Sequence, residues 1–148
     1  MLLVPGERYV YTVDTYNHRV KVTTDAGVYM GQWGSWGVGV SQFEFPSDIT
    51  INESGEVFVV DGDNNRIQKF DHEGNFLLQW GSYGETGNSR FNGPRGISCD
   101  TQYVYVSDSY NNRIQKFDFN GNWVITWGSS GTSNGKFDVP EGSGIRVP

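Results

Sequence analysis

The sequence holds one cysteine, Cys99, so no internal disulfide can form and no redox compartment is selected. Its only histidines, His18 and His72, provide no Cys/His spacing of the kind a zinc site requires. No apolar run has the length of a membrane span, and Met1-Leu2-Leu3-Val4 stops at Pro5-Gly6, shorter than the apolar part of a secretion signal. Basic residues are also scarce. Eleven Lys and Arg face seventeen Asp and Glu, a formal charge of −6, which argues against a surface built to release counterions from phosphates or to lie on anionic lipid. The order of residues contains no Ser/His/Asp triad pattern, P-loop or dinucleotide glycine fingerprint. What abounds is glycine, at 20 of 148 residues, and aromatic rings, at 15% of the chain. Rings and turns without long charged stretches describe short twisted strands, and the length fits one domain.

The chain repeats itself. Asp14, Asp61 and Asp108 recur every 47 residues, and Arg19, Arg66 and Arg113 keep the same step. So do Gly27, Gly74 and Gly121, and the pairs Trp33-Gly34, Trp80-Gly81 and Trp127-Gly128. Phe43, Phe91 and Phe137, each followed three residues later by proline, slip by one residue, and the slip falls in the Gly/Ser-rich segments where loops absorb length changes. Repeat 1 spans about residues 1–42, repeat 2 about 43–90 and repeat 3 about 91–136, with 137–148 as an extra closing strand.

Within a repeat the hydrophobic period is two. Ile49-Thr50-Ile51 reads as a first strand and Val57-Phe58-Val59-Val60 as a strand buried on both faces. The Asp61-Gly62-Asp63-Asn64-Asn65 turn leads to Arg66–Phe70, and a Gly74 turn leads to Phe76–Trp80. Four short antiparallel strands cannot bury both faces alone, so each repeat must stack on the next, and radial stacking makes a β-propeller.

The segments Val13–Val20, Val60–Ile67 and Ser107–Ile114, with the surrounding Phe-x-x-Pro and Trp-Gly-Ser elements, resemble the NHL repeat family. The resemblance covers nearly the whole chain and implies an all-β propeller, commonly of six blades. It departs from the family in one respect: only repeat 1 has His18, where Asn65 and Asn112 stand in the others.

Three repeats do not close a ring. Leu2-Leu3-Val4 occupies the place of a first strand without the Phe-x-x-Pro lead-in, while Phe137 to Val147 supplies a fourth lead-in and strand with no blade behind it. These complementary ends predict a head-to-tail homodimer forming a six-bladed ring, in which the C-terminal segment completes the partner's first blade. A piece cut from a longer six-repeat chain is expected to have the same edges and the same tendency to pair.

The Asp/Arg pairs Asp14 and Arg19, Asp61 and Arg66, Asp108 and Arg113 read as structural clasps across a tight turn, since identical copies spread round a ring do not make one catalytic constellation. The Asp61–Asn65 run fails as a calcium loop because Arg66 and His72 occupy the sixth and twelfth positions. No metal, cofactor, membrane or catalytic residue is expected, and nucleic acid is disfavoured. The alternatives carried are a metal-dependent lyase or hydrolase, because some NHL propellers resemble amidating lyases with several metal-bound His, and an RNA-binding NHL module. The favoured expectation is a scaffold that binds a protein, peptide or glycan on the rim of the Asp/Arg turns. Tyr16, Trp36, Tyr83, Arg90 and Tyr110 are the rim candidates. Trp33, Trp80 and Trp127 are expected between blades, Cys99 is expected to be buried after a first strand, and Asn52-Glu53-Ser54 is a sequon that matters only in a secreted protein.

Overall fold

A computed structural model describes residues 1–148, and apart from two single-turn 3-10 helices its regular structure is all strand. In chain order the strands are β1 (Tyr9–Asp14), β2 (Arg19–Thr24), β3 (Tyr29–Trp33), β4 (Pro46–Ile51), β5 (Val57–Asp61), β6 (Arg66–Phe70) and β7 (Phe76–Trp80). They continue as β8 (Ser82–Tyr83), β9 (Arg90–Phe91), β10 (Gly96–Cys99), β11 (Tyr103–Asp108), β12 (Arg113–Asp118) and β13 (Trp123–Trp127). Sheet 1 has the order β1-β2-β3, sheet 2 β4-β5-β6-β7 and sheet 3 β10-β11-β12-β13, while β8 and β9 pair in parallel within a connecting loop.

The repeat in sequence is a repeat in register. Asp14 faces Arg19, Asp61 faces Arg66 and Asp108 faces Arg113 at the ends of their ladders. The last strand pair of every sheet shifts register at one equivalent place, Val22/Thr23, Lys69/Phe70 and Lys116/Phe117. A bulge of this kind increases local twist, which lets successive sheets lie face to face.

Two hydrophobic clusters fill the two spaces between sheets. Val20 meets Phe43, Val57, Val59 and Phe70 in the first, while Phe58, Val60 and Ile67 meet Phe91, Val104, Val106 and Phe117 in the second. Trp33 lies 5.5 Å from Phe70 and Trp80 lies 5.5 Å from Phe117, centroid to centroid, so each tryptophan leans on the following sheet. Gly74 and Gly121 are required beneath those indoles: a Cβ there would stand 2.6 Å from Trp33 and 2.7 Å from Trp80. Sheet 2 is covered on both sides, and every residue of β5 and β6 is buried.

The outer sheets differ from the expectation. Leu2-Leu3-Val4 forms no strand, leaving sheet 1 with three strands; Val4 instead donates its N–H to the Tyr9 hydroxyl at 2.7 Å. That segment lacks the lead-in phenylalanine that wedges the start of β4 and β10 in place. Residues 138–148 have no strand on their own chain, where the expectation places them on the first blade of a second copy. The tail nevertheless runs beside β10, with Ser109 Oγ donating to the Pro140 carbonyl at 2.6 Å and Ser143 Oγ 2.9 Å from Ser98 Oγ. A strand needs a ladder partner for its N–H and C=O groups, and none is present on its far side. Trp127, expected between blades, is 41% exposed for the same reason, since no sheet follows sheet 3. Cys99 ends β10 instead of following it, and it is half-buried, with its Sγ 3.3 Å from the Ile51 carbonyl.

Candidate functional site

The Asp/Arg turns and the long connecting loops share one rim. In sheet 2, Arg66 Nε donates to Asp61 Oδ2 at 2.7 Å, and the remaining guanidinium nitrogens reach the carbonyls of Val38, Gly39 and Gln42 in the loop arriving from sheet 1. The other oxygen of Asp61 accepts the Glu44 N–H at 2.8 Å, Asn64 Nδ2 donates to the Gly37 carbonyl, and Gln68 Nε2 donates to the Gln42 carbonyl. Sheet 3 repeats this set on the loop arriving from sheet 2: Arg113 to Asp108 at 2.7 Å and to the Gly87 and Arg90 carbonyls, Asp108 from the Asn92 N–H, and Gln115 to the Arg90 carbonyl. The clasp therefore closes its own turn and also fixes the incoming loop through charge-assisted hydrogen bonds.

In sheet 1 the pair Asp14 and Arg19 keeps the 2.7 Å contact, but no loop arrives. Arg19 reaches only Asp14 and Gln32, and its side chain is 26% exposed where Arg66 is 9%. The Asp14 carboxyl lies below the usual carboxylate range because Arg19, then Asn17, hydrogen-bond to its charged form.

His18, Asn65 and Asn112 are the last residues of these turns, all with left-handed backbone at φ 52°. Asparagine adopts that region readily, which explains it at two of the three places. Each side chain accepts one backbone N–H from the loop leading onward: His18 Nδ1 from Phe45 at 3.1 Å, Asn65 Oδ1 from Gly93 at 2.8 Å and Asn112 Oδ1 from Val139 at 2.8 Å. The sequence departure at this position is thus an exchange between two acceptors in one role, and the pattern of residues alone carried no signal for it.

Three of the five rim candidates gather. Tyr83 and Tyr110 line one depression of about 380 Å³ together with Asp63 and Glu44, and Tyr16 and Tyr110 line a neighbouring one of about 330 Å³ that shares Gly62, Asp63 and Gly93. The rings are 84% exposed at Tyr16, 58% at Tyr83 and 52% at Tyr110. Trp36, also exposed, and Arg90 lie outside both depressions. Arg90 has no carboxylate partner and donates to Ser82 Oγ at 2.9 Å. Arg95 lies against the Tyr110 ring at 5.1 Å and pairs with Glu141, so its charge is neutralised. Sequence reasoning missed Asp63 as the carboxylate shared by the two depressions; its neighbours in the turn masked it among other Asx residues.

No group of three or more His, Cys, Asp or Glu side chains is placed to hold a metal ion. His18 is engaged with the Phe45 N–H, and the backbone carbonyl of His72 accepts the Tyr11 hydroxyl at 2.7 Å, tying sheets 1 and 2 at the opposite rim.

Comparison with known families decides the class. The NHL repeat matches residues 43–70 and 91–117, the segments that build sheets 2 and 3 from lead-in phenylalanine to third strand. These two segments are NHL repeats. The antiparallel sheets are consistent with propeller blades, and sheets 1, 2 and 3 are called blades 1, 2 and 3 below, blade 1 being the one without a first strand. Among solved structures the chain is similar to Kuenenia stuttgartiensis hydrazine synthase, with a TM-score of 0.65 at 14% identity over 89% of this chain and 34% of that one. A streptogramin B lyase gives 0.65 at 14% identity, covering 91% of this chain and 40% of that one. Virginiamycin B lyase from Staphylococcus aureus gives 0.54 at 16% identity over 78% and 36%. At such identities the likeness is one of fold. The chain spans between a third and two fifths of the length of these structures. A search of curated proteins by sequence finds no match.

Proposed function

We propose that this NHL chain is a non-catalytic interaction scaffold, a half-propeller that closes a six-bladed ring with a second copy and presents its tyrosine rim to a protein or peptide segment or a glycan. The observation that supports it is the division of labour on that rim: the Asp/Arg pairs of blades 2 and 3 hold loops, while Tyr16, Tyr83 and Tyr110 stay exposed around connected depressions. Exposed tyrosines present large apolar faces and a hydroxyl with little side-chain entropy to lose, which suits contact with an extended segment or a sugar ring. Asp63 and Glu44 beside them favour a ligand carrying positive charge or hydroxyl donors over one carrying phosphate.

The test is binding to peptide and glycan arrays by the parent chain and by a Tyr83→Ala, Tyr110→Ala double variant. Hits retained at full strength by the double variant would remove the rim from the function. Stoichiometric metal in the purified protein, measured by elemental analysis, would shift the assignment toward a lyase or hydrolase. Micromolar RNA affinity that falls with salt would shift it toward nucleic acid.

A further inference from the structure

We infer that the open clasp of blade 1 is the receptor for the third connecting loop, residues 128–139, of a second copy. The inference rests on the ring proposed above and names its joint.

Both halves of the joint exist in one chain, unmatched. In the covered joints a loop seats its Gly37 or Gly84 carbonyl on an asparagine, its Gln42 or Arg90 carbonyl on the arginine and glutamine, and its Glu44 or Asn92 N–H on the aspartate. The third loop holds the same groups in the same fold. Phe137 donates its N–H to the Ser129 carbonyl and Gly131 donates to the Phe137 carbonyl, as Phe43 does to Ser35 and Gly37 to Phe43. The groups equivalent to the seated ones, the Gly131 and Lys136 carbonyls and the Asp138 N–H, make no hydrogen bond.

The receptor side is laid out to match. Asn17 stands at the place of Asn64 and Asn111, and Asp14 and Arg19 at the places of the buried pairs. Gly27 occupies the place of Gly74 and Gly121, yet no atom lies within 4 Å of where its Cβ would be; it is the bare seat for Trp127. The free edge of β1 faces the missing first strand, and the strandless tail from Pro140 supplies it. Three departures make this joint more polar than the covered ones: Lys21 replaces Gln68 and Gln115, Thr12 replaces Val59 and Val106, and Thr23 replaces Phe70 and Phe117. Lys21 can donate to the Lys136 carbonyl as the glutamines do, but it cannot accept a backbone N–H in return.

The test is sedimentation of the full 148-residue chain. The parent is expected as a dimer, and Arg19→Ala and Phe137→Ala each raise its dissociation constant by about tenfold or more through lost charge-assisted bonds or lost wedge packing. The control Glu53→Ala on the opposite rim leaves it unchanged. An equimolar mixture of the two variants recovers association, because one of the two joints in such a heterodimer contains neither substitution. Circular dichroism keeps the comparison to folded protein, and Arg19, being a quarter exposed, tolerates truncation if Phe137 does not. Variants as dimeric as the parent would overturn the joint while leaving the ring. A monomeric parent at micromolar concentration, or an open series of masses, would overturn the ring and the joint together.

Discussion

The clasps of blades 2 and 3 and the clasp of blade 1 share residue types, spacing and a 2.7 Å Arg–Asp contact, yet they live in different surroundings. Asp61 and Asp108 are fully buried beneath loops contributed by the preceding repeat, whereas Asp14 is a quarter exposed at its side chain with no loop above it. The ion pair is therefore local, but its burial belongs to the neighbour. A pair that is shielded and multiply hydrogen-bonded is costly to break, while the same pair near solvent contributes little to folding and keeps donors available for another chain.

The sharpest way to break this comparison is to substitute equivalent residues in dilute, monomeric protein and follow urea unfolding. Phe91→Ala empties a buried wedge and should cost about 3–5 kcal/mol, while Phe137→Ala, wedged on one side only, should cost distinctly less. Equal losses would mean that the outer face of blade 3 is covered after all. Arg66→Ala leaves the Asp61 carboxylate buried and unpaired, which should also remove about 3–5 kcal/mol. Arg19→Ala should change folding stability far less, and a matching loss would contradict an open clasp.

Glycine substitutions sharpen the same contrast at a smaller scale. Gly74→Ala meets Trp33 at 2.6 Å besides adopting φ +89°, whereas Gly27→Ala meets nothing and carries only the left-handed backbone at φ +83°. The backbone cost, about 1–2 kcal/mol, is common to both, so the difference in unfolding free energy measures the tryptophan cover alone.

The smallest expected effect is on acid stability. Burial works against the charged forms of Asp71, Asp100 and Asp118, but hydrogen bonds from Asn75, from the Gln102 N–H and Tyr105 hydroxyl, and from Asn122 outweigh it and hold all three below the usual carboxylate range. A depressed folded-state pKa contributes stability that is present above the unfolded value of about 4 and lost as pH falls through the folded values. Thermal unfolding should thus be flat with respect to these groups near neutrality and decline below about pH 4. A melting temperature constant down to pH 2 would remove these turns from the stability account. In the other direction, burial and then the Asp100 hydrogen bond push the Tyr105 phenol up to about 12.

Much of this molecule could be read from its residues. The step between Asp14, Asp61 and Asp108, the period-two strands and the turn glycines placed the sheets and the Asp/Arg turns. The ends were less legible. Leu2-Leu3-Val4 has the composition of a first strand, but a strand forms only where its edge is held, and without the lead-in wedge the segment turns away. The rim was legible as a collection of exposed rings, though not as a grouping: Tyr16, Tyr83 and Tyr110 come together around Asp63, while Trp36 and Arg90 fall outside.

By itself the chain's order of residues determined the number of sheets, their registers and which residues meet within each turn, because hairpin pairing is set by period and turn chemistry over a few residues. Only the tertiary structure decided which of those identical pairs are buried, what His18 and the two asparagines hold, and which carbonyls are left unseated, because each depends on whether another repeat lies alongside.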